Sequence, residues 1–183
     1  MRVIQIRGTS GSGKTWAMRN WMAKLLWSPV HVDNRKKPLY YIHGSLAVLG
    51  HYESACGGCD NIGSAAAVYN LIQKVKTSRP EIKVIVCEGL LLSEDVKWSS
   101  QLEDLRALFL TTPIQQCISQ IESRRLEAGN DKPLNTENTT KRVAVIERAR
   151  VKLTSLGKDC RRCAVSQVFR LIDNWVKEVT NAE

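Results

Sequence analysis

Residues Gly8-Thr9-Ser10-Gly11-Ser12-Gly13-Lys14-Thr15 fit the pattern G-x-x-x-x-G-K-[ST], and nothing else in the 183 residues restricts the fold so tightly. The pattern has meaning only between a strand and a helix, and both neighbours qualify. Arg2 to Arg7 (RVIQIR) is a short run with β-branched residues and reads as a strand. Downstream, Met18, Trp21, Met22, Leu25 and Leu26 fall at i, i+3, i+4, i+7 and i+8, one apolar face of a helix. That helix is expected to end near Trp27, because Pro29 disfavours helix at Ser28.

The chemistry of the loop follows from its residue types. Gly8, Gly11 and Gly13 are expected to permit positive φ and close approach of backbone to an anion. Successive N–H groups at a helix N-terminus then form a nest for a polyphosphate, favoured by the helix dipole. The expected cradle is Gly8, Ser10, Gly11, Ser12 and Gly13, with the Lys14 ammonium near the β- and γ-phosphates and the Thr15 hydroxyl on Mg²⁺. ATP and Mg²⁺ are the ligands this implies. A glycine-rich turn that merely caps a helix is the competing explanation, and it leaves Lys14-Thr15 unexplained.

Length and composition narrow the rest. The chain suits a single domain over 1–183. No run approaches the eighteen apolar residues of a membrane span, so no membrane partner is expected. The first residues read as a strand rather than a targeting leader. Six cysteines without such a leader suggest free thiols and a cytoplasmic setting. The formal net charge of +9 points to a polyanionic partner. Between Ile121 and Arg170 there are twelve Lys/Arg against six Asp/Glu, so much of that excess is concentrated there. The sequence does not specify an oligomeric state.

Along the chain, Val30 to Pro38 reads as an exposed basic loop in which Asp33 and Arg35 are within reach of a substrate or simply solvated. Leu39 to His43 and Leu46 to His51, separated by Gly44-Ser45, read as a hairpin. Cys56-Gly57-Gly58-Cys59-Asp60 precedes a helix bearing Ile62, Ala65, Ala66, Tyr69 and Ile72. Asp60 has two readings: N-cap of that helix, or general base for an acceptor hydroxyl. The pair Cys56/Cys59, together with Cys160/Cys163, suggests a redox pair or a Cys₄ zinc site, although a gap of about a hundred residues is not finger spacing.

Ile82 to Cys87 is a nearly continuous apolar run, as in a parallel strand buried on both faces. It delivers Glu88 to the carboxyl end of the strand, where ligands of open α/β sheets lie. Glu88 is therefore a candidate for holding Mg²⁺ through water or for acting as base, against the alternative of a solvated strand-end glutamate. Leu105 to Leu110 is another strand, followed by Thr112-Pro113-Ile114-Gln115, which reads as a capping-box helix start. The helix ends in Arg124-Arg125, and Ala128 to Asn135 breaks it before a second helix that runs to about Leu153. Cys160 to Ala164 is expected to be the last strand, and Ser166 to cap a final helix with Val168, Leu171, Ile172, Trp175, Val176 and Val179 on one stripe.

The order of parts resembles the nucleotide-kinase branch of P-loop proteins. The expected fold is α/β: a three-layer P-loop kinase fold with a mostly parallel five-stranded sheet, a small β-hairpin and an Arg-bearing LID segment over about residues 124–142. Arg124, Arg125, Arg142 and Arg148 are the LID candidates for charge stabilisation during transfer. Taken together, the loop GTSGSGKT, the block VLGHYESACGGCDNI, the strand end VIVCEGLLLS and the Arg-Arg segment resemble the small phage kinases that act on hydroxymethylated pyrimidines in DNA. These are the 5-hydroxymethyluracil DNA kinases. The resemblance implies phosphorylation of a base hydroxymethyl group as a step in DNA base hypermodification, in the host cell cytoplasm. Only Gly8 to Thr15 carry over residue by residue; Lys14, Asp60, Glu88, Arg124 and Arg125 as a catalytic set rest on position and chemistry.

Three functions compete on these residues. A kinase of a modified base in DNA accounts for the +9 charge, because phosphate neutralisation supplies most non-specific DNA affinity. Tyr41, Tyr52 and Trp98 are candidates to stack an unstacked base, and core packing explains each equally well. A kinase of a free nucleotide or small metabolite needs the same loop and a compact pocket. An ATP-hydrolysing DNA-binding module is disfavoured by the Arg-bearing segment, which suits water exclusion.

Overall fold

The strand before the glycine loop is an interior strand of a seven-stranded sheet in the computed structural model, which describes residues 1–32, 35–54, 57–130 and 132–181. The elements are β1 (Arg2–Arg7), α1 (Lys14–Met22), β2 (Ser28–Val30), β3 (Tyr40–His43), β4 (Leu46–Leu49), α2 (Ala65–Ser78), β5 (Val84–Glu88), α3 (Leu90–Glu94), β6 (Asp104–Leu110), α4 (Ile114–Glu127), α5 (Thr136–Ser155), β7 (Asp159–Cys163) and α6 (Val168–Thr180). The sheet order is β2-β3-β4-β5-β1-β6-β7. From β4 to β7 all pairings are parallel, whereas β2-β3 and β3-β4 are antiparallel.

Five parallel strands thus form the body of the sheet, and two more extend it. The expected count of five is corrected to seven. The hairpin of β3 and β4 is not a separate appendage, because β4 pairs with β5 through Leu46–Val84 to Val48–Val86. β2 falls partly in a stretch expected to be loop. Its three residues, Ser-Pro-Val, sit on the sheet edge, where proline's missing donor costs no ladder bond.

Strand periodicity sorts side chains onto two faces, and each face is covered by helices. Ile4, Ile6, Val84, Val86 and Leu108 pack under Met18 and Trp21 of α1 and Ile172 and Trp175 of α6. Val3, Ile85, Leu105, Ala107 and Phe109 pack under Val68, Ile72 and Val75 of α2, Leu92 of α3 and Ile146 and Leu153 of α5. At about 25 cal/mol per Å² these layers supply the main drive for folding.

β1 also buries three polar side chains, Arg2, Gln5 and Arg7, and Arg7 lies deepest. It is fully buried, and its guanidinium donates to the Gln5 amide oxygen, the Asp95 carbonyl and the Ser99 hydroxyl. Burial pushes its pKa down to about 10, with Asp95 opposing.

The helix ends depart from their local sequence signals. α1 stops at Met22 rather than Trp27, and Leu26 is 90% exposed, so the apolar period overshoots the helix. Pro113, not Thr112, is the residue before α4, and no side chain caps it. The Thr112 hydroxyl donates instead to the Ser12 carbonyl at 2.8 Å, tying the start of α4 to the glycine loop. Val165–Gln167 forms a 3₁₀ turn before α6, so Ser166 is inside that turn and not the cap. No helix among the described residues is long and apolar enough to cross a membrane.

Candidate active site

β1 lies between β5 and β6, so the chain leaves it toward one side of the sheet and later returns to the other. Ligands of open α/β sheets bind at such a point, outside the carboxyl ends of the strands. Gly8–Thr15 occupies that position and runs straight into α1. Gly11 has φ +73°, and a Cβ there would sit 2.2 Å from the Cys117 carbonyl oxygen, so α4 packs directly on the loop backbone. Gly13 also has positive φ, whereas Gly8 does not use that freedom. The first N–H groups of α1 have no partner within the helix and follow directly on the glycine loop.

The loop is held from several sides. Gly8 N–H donates to Ser93 Oγ at 3.0 Å, and that hydroxyl donates to the Gly89 carbonyl at 2.7 Å. Lys14 is buried, and its Nζ donates to the carbonyls of Gly8 at 2.8 Å and Thr9 at 2.9 Å. Burial lowers its pKa, while Glu88 and Asp60 draw it back up. Glu88 ends β5 opposite Ile6 of β1, so its carboxylate emerges beside the loop. Thr15 Oγ1 donates to Glu88 Oε1 at 2.8 Å. Glu88 is 1% exposed, and burial pushes its pKa up to about 7 against the pull of Lys14 and Thr15. The solvated strand-end alternative for Glu88 is thereby excluded.

Asp60 comes from the block between β4 and α2. It does not cap α2, whose N-cap is Ser64, with Ser64 Oγ accepting from Ala67 N–H at 3.1 Å. Asp60 lies in the turn Cys59–Asn61, and its Oδ1 accepts the Leu91 N–H at 3.1 Å in the first turn of α3. The cap reading is thus corrected to a different helix, about thirty residues away, which no local pattern announces. Gly58 lets the turn pass Glu88 closely: its φ is +76°, and a Cβ would lie 2.3 Å from Glu88 Oε1.

A cleft of about 290 Å³ brings these groups together, lined by Ser10 to Trp16, Arg19, Gly57, Asp60, Glu88, Leu90, Gln120 and Arg124. Arg124 reaches the cleft from α4, but Arg125 does not line it. Its guanidinium donates to Asn130 Oδ1 at 3.3 Å and the Lys132 carbonyl at 2.8 Å, closing the end of α4. Arg142 pairs with Glu94 at 2.8 Å, and Arg148 is exposed on α5 away from the lining. Arg19, outside the expected set, also lines the cleft. It donates to the carbonyls of Tyr52 at 3.1 Å and Ser54, fastening the Asp60 block to α1. Its spacing from Thr15, i and i+4 on one helix face, was the available signal.

Other expected groups lie elsewhere. Tyr41 is buried, Tyr52 is half-buried, and Trp98 packs on Tyr69 with ring centroids 5.4 Å apart. Asp33 and Cys56 lie outside the described residues. Among the described residues no three His, Cys, Asp or Glu side chains converge as metal ligands, and Cys59 and Cys163 belong to opposite faces of the sheet.

No protein-family model matches the chain. A 5-hmdU DNA kinase of Pseudomonas phage PaMx11 is 41% identical over 75% of this chain and 77% of its own. A 5-hmdU DNA kinase of Pseudomonas phage M6 is 25% identical over 95% and 99%, and one of Delftia phage PhiW-14 is 28% identical over 76% and 59%. A solved structure of an uncharacterized protein from Eubacterium ventriosum spans 97% of this chain at 13% identity and TM-score 0.43, a likeness from which no function follows.

A glycine loop at the switch point, the Lys14 ammonium and the Glu88 and Asp60 carboxylates around one cleft suit an α/β phosphotransferase, and the relatives make the chain a kinase. The chain belongs to the 5-hmdU DNA kinase family. Of the three functions the residues allow, the first is the family's, and its substrate is DNA.

Proposed function

We propose that Gly8–Thr15 is a P-loop that holds the triphosphate of ATP, and that the γ-phosphoryl group passes to the hydroxymethyl oxygen of 5-hydroxymethyluracil in DNA. The observation that carries this reading is the convergence of Lys14, Thr15, Glu88, Asp60 and Arg124 on one cleft around the glycine loop. The hydroxymethyl oxygen attacks the γ-phosphorus in line, the bond from that phosphorus to the β–γ bridging oxygen breaks, and ADP leaves. Asp60 takes the hydroxyl proton. It is exposed at the cleft, and its Oδ2 has no partner among the described residues, whereas Glu88 is buried and engaged by Thr15.

Thr15 Oγ1 and Glu88 Oε1, 2.8 Å apart, are hard oxygen donors that fit Mg²⁺ and would hold it. The ion would supply charge neutralisation for the transferring phosphates. Lys14 serves the same charge from the loop side once its ammonium leaves the Gly8 and Thr9 carbonyls for phosphate oxygens. The α4–α5 pair acts as the LID, with Arg124 as its cleft-facing charge. A target base inside a duplex has to be unstacked at a cost of a few kcal/mol. The place of action is where phage DNA is modified, the host cytoplasm.

The test is an acceptor panel with γ-labelled ATP: duplex with 5-hydroxymethyluracil, the same duplex with thymine, and the free nucleotide. Label on the modified duplex alone is expected. Label on the free nucleotide alone contradicts the proposal.

A further inference from the structure

Of the five tryptophans, Trp21 and Trp175 are buried and Trp27 and Trp98 half-buried, but Trp16 is 58% exposed. Exposure alone would mean little, but this indole stands next to the motif. Trp16 follows Lys14-Thr15 directly, in the first turn of α1, and lines the same cleft. One of its faces is supported by Phe169, with ring centroids 6.1 Å apart and planes inclined by 24°. Phe169 is itself flanked by the Lys24 ammonium, 5.0 Å from its ring centroid. The indole is therefore held in a defined plane and remains largely open to solvent.

Strand order fixes which end of the cleft it occupies. Glu88 ends β5, on one side of β1, and Asp60 hydrogen-bonds to α3 directly beyond it. Phe169 belongs to α6, which follows β7, and Gln120 belongs to α4, which follows β6, both on the other side of β1. The carboxylates and the indole thus stand at opposite ends, with the anion nest between them. In the phosphate orientation proposed above, the γ-phosphate faces Glu88 and Asp60. The α-phosphate, and the nucleoside attached to it, then lie at the first turn of α1.

We infer that Trp16, supported by Phe169, is the stacking platform for the base of the donor nucleotide, and so a binding residue that sets donor preference. This rests on the reading of Gly8–Thr15 as the triphosphate site. Stacking on an indole is indifferent to the base edge, because every base presents a π face. The cleft residue nearest to a reader of that edge is Gln120, whose amide both donates and accepts. Donor selection is then by ring area rather than by edge pattern, so ATP and GTP serve about equally and CTP less well.

The experiment compares wild type, Trp16→Phe and Trp16→Ala in binding ATP, GTP, inorganic tripolyphosphate and a 5-hydroxymethyluracil duplex. Tripolyphosphate carries the anion without the base, so it reports the loop alone. Trp16→Ala is expected to weaken ATP and GTP by about 5- to 150-fold. Tripolyphosphate and DNA should bind as in wild type, and Trp16→Phe should recover most of the loss. Equal weakening of ATP and tripolyphosphate would overturn the inference and make the indole a support for the loop. Weaker DNA with unchanged ATP would also overturn it and give the indole to the acceptor strand. Lys14→Ala separates the underlying reading: if it leaves tripolyphosphate binding unchanged, the loop is not the triphosphate site, whatever Trp16 does.

Discussion

The two ends of the cleft are built differently. At the carboxylate end, Glu88 stands on a central strand, 1% exposed, with its oxygen 2.8 Å from the Thr15 hydroxyl. Asp60 is anchored to the first turn of α3, and Arg19 fastens its block to α1. At the arginine end, Arg124 is half-buried and sits near the end of a helix, one residue before Arg125, which closes that helix onto the following turn. Strand-borne groups are placed by the sheet before any substrate arrives. Arg124 is instead carried by a helix, and its place depends on how α4 packs on the loop, so in the proposed mechanism its charge is matched to the moment when the phosphoryl group moves.

That contrast predicts a graded set of losses. Asp60→Asn should lower kcat about 10²- to 10⁴-fold while ATP binding survives, because in the proposed mechanism the group accepts a proton and does not hold the donor. Normal turnover in this variant would move the base to Glu88. Lys14→Ala should lower transfer by about 10²- to 10³-fold with the fold intact by circular dichroism, since in the proposed mechanism its charge moves to the transferring oxygens.

The arginine end should divide between neighbours. Arg124→Ala is expected to reduce single-turnover transfer about 10-fold or more, with DNA and ATP affinities nearly unchanged. Arg125→Ala should cost about 1 kcal/mol of stability through the lost bonds to Asn130 and Lys132, with little effect on transfer. Equal transfer defects in the two variants would erase the distinction between them. The smallest effect is on the surface of α5. Lys152→Ala should shallow the salt dependence of DNA binding by about 0.9 in log–log slope if it meets one phosphate, with no change in the rate of transfer at saturation.

What was legible beforehand follows the same division. The loop, β1 and the Glu88-bearing strand were readable because motif, periodicity and strand end are all local. Asp60 was recognised as a cap or a base, yet its partner is Leu91, set beside it only by tertiary folding. Arg124 and Arg125 are adjacent in sequence and differ by about 100° around the helix, so only the packing of α4 on the loop tells them apart. β2 escaped notice because three residues with a proline carry no alternating pattern. Trp16 was hidden by company: it neighbours the apolar face of α1, and exposure is not written in residue type.

The most direct test of the account is single-turnover transfer from γ-labelled ATP to a 5-hydroxymethyluracil duplex, comparing wild type with Lys14→Ala at saturating ATP. Digestion to nucleosides should recover the label on the hydroxymethyl oxygen of the modified base in wild type, with the rate reduced at least about 10²-fold in the variant. Equal rates for the two proteins would contradict it, because transfer would then proceed without the Gly8–Thr15 loop.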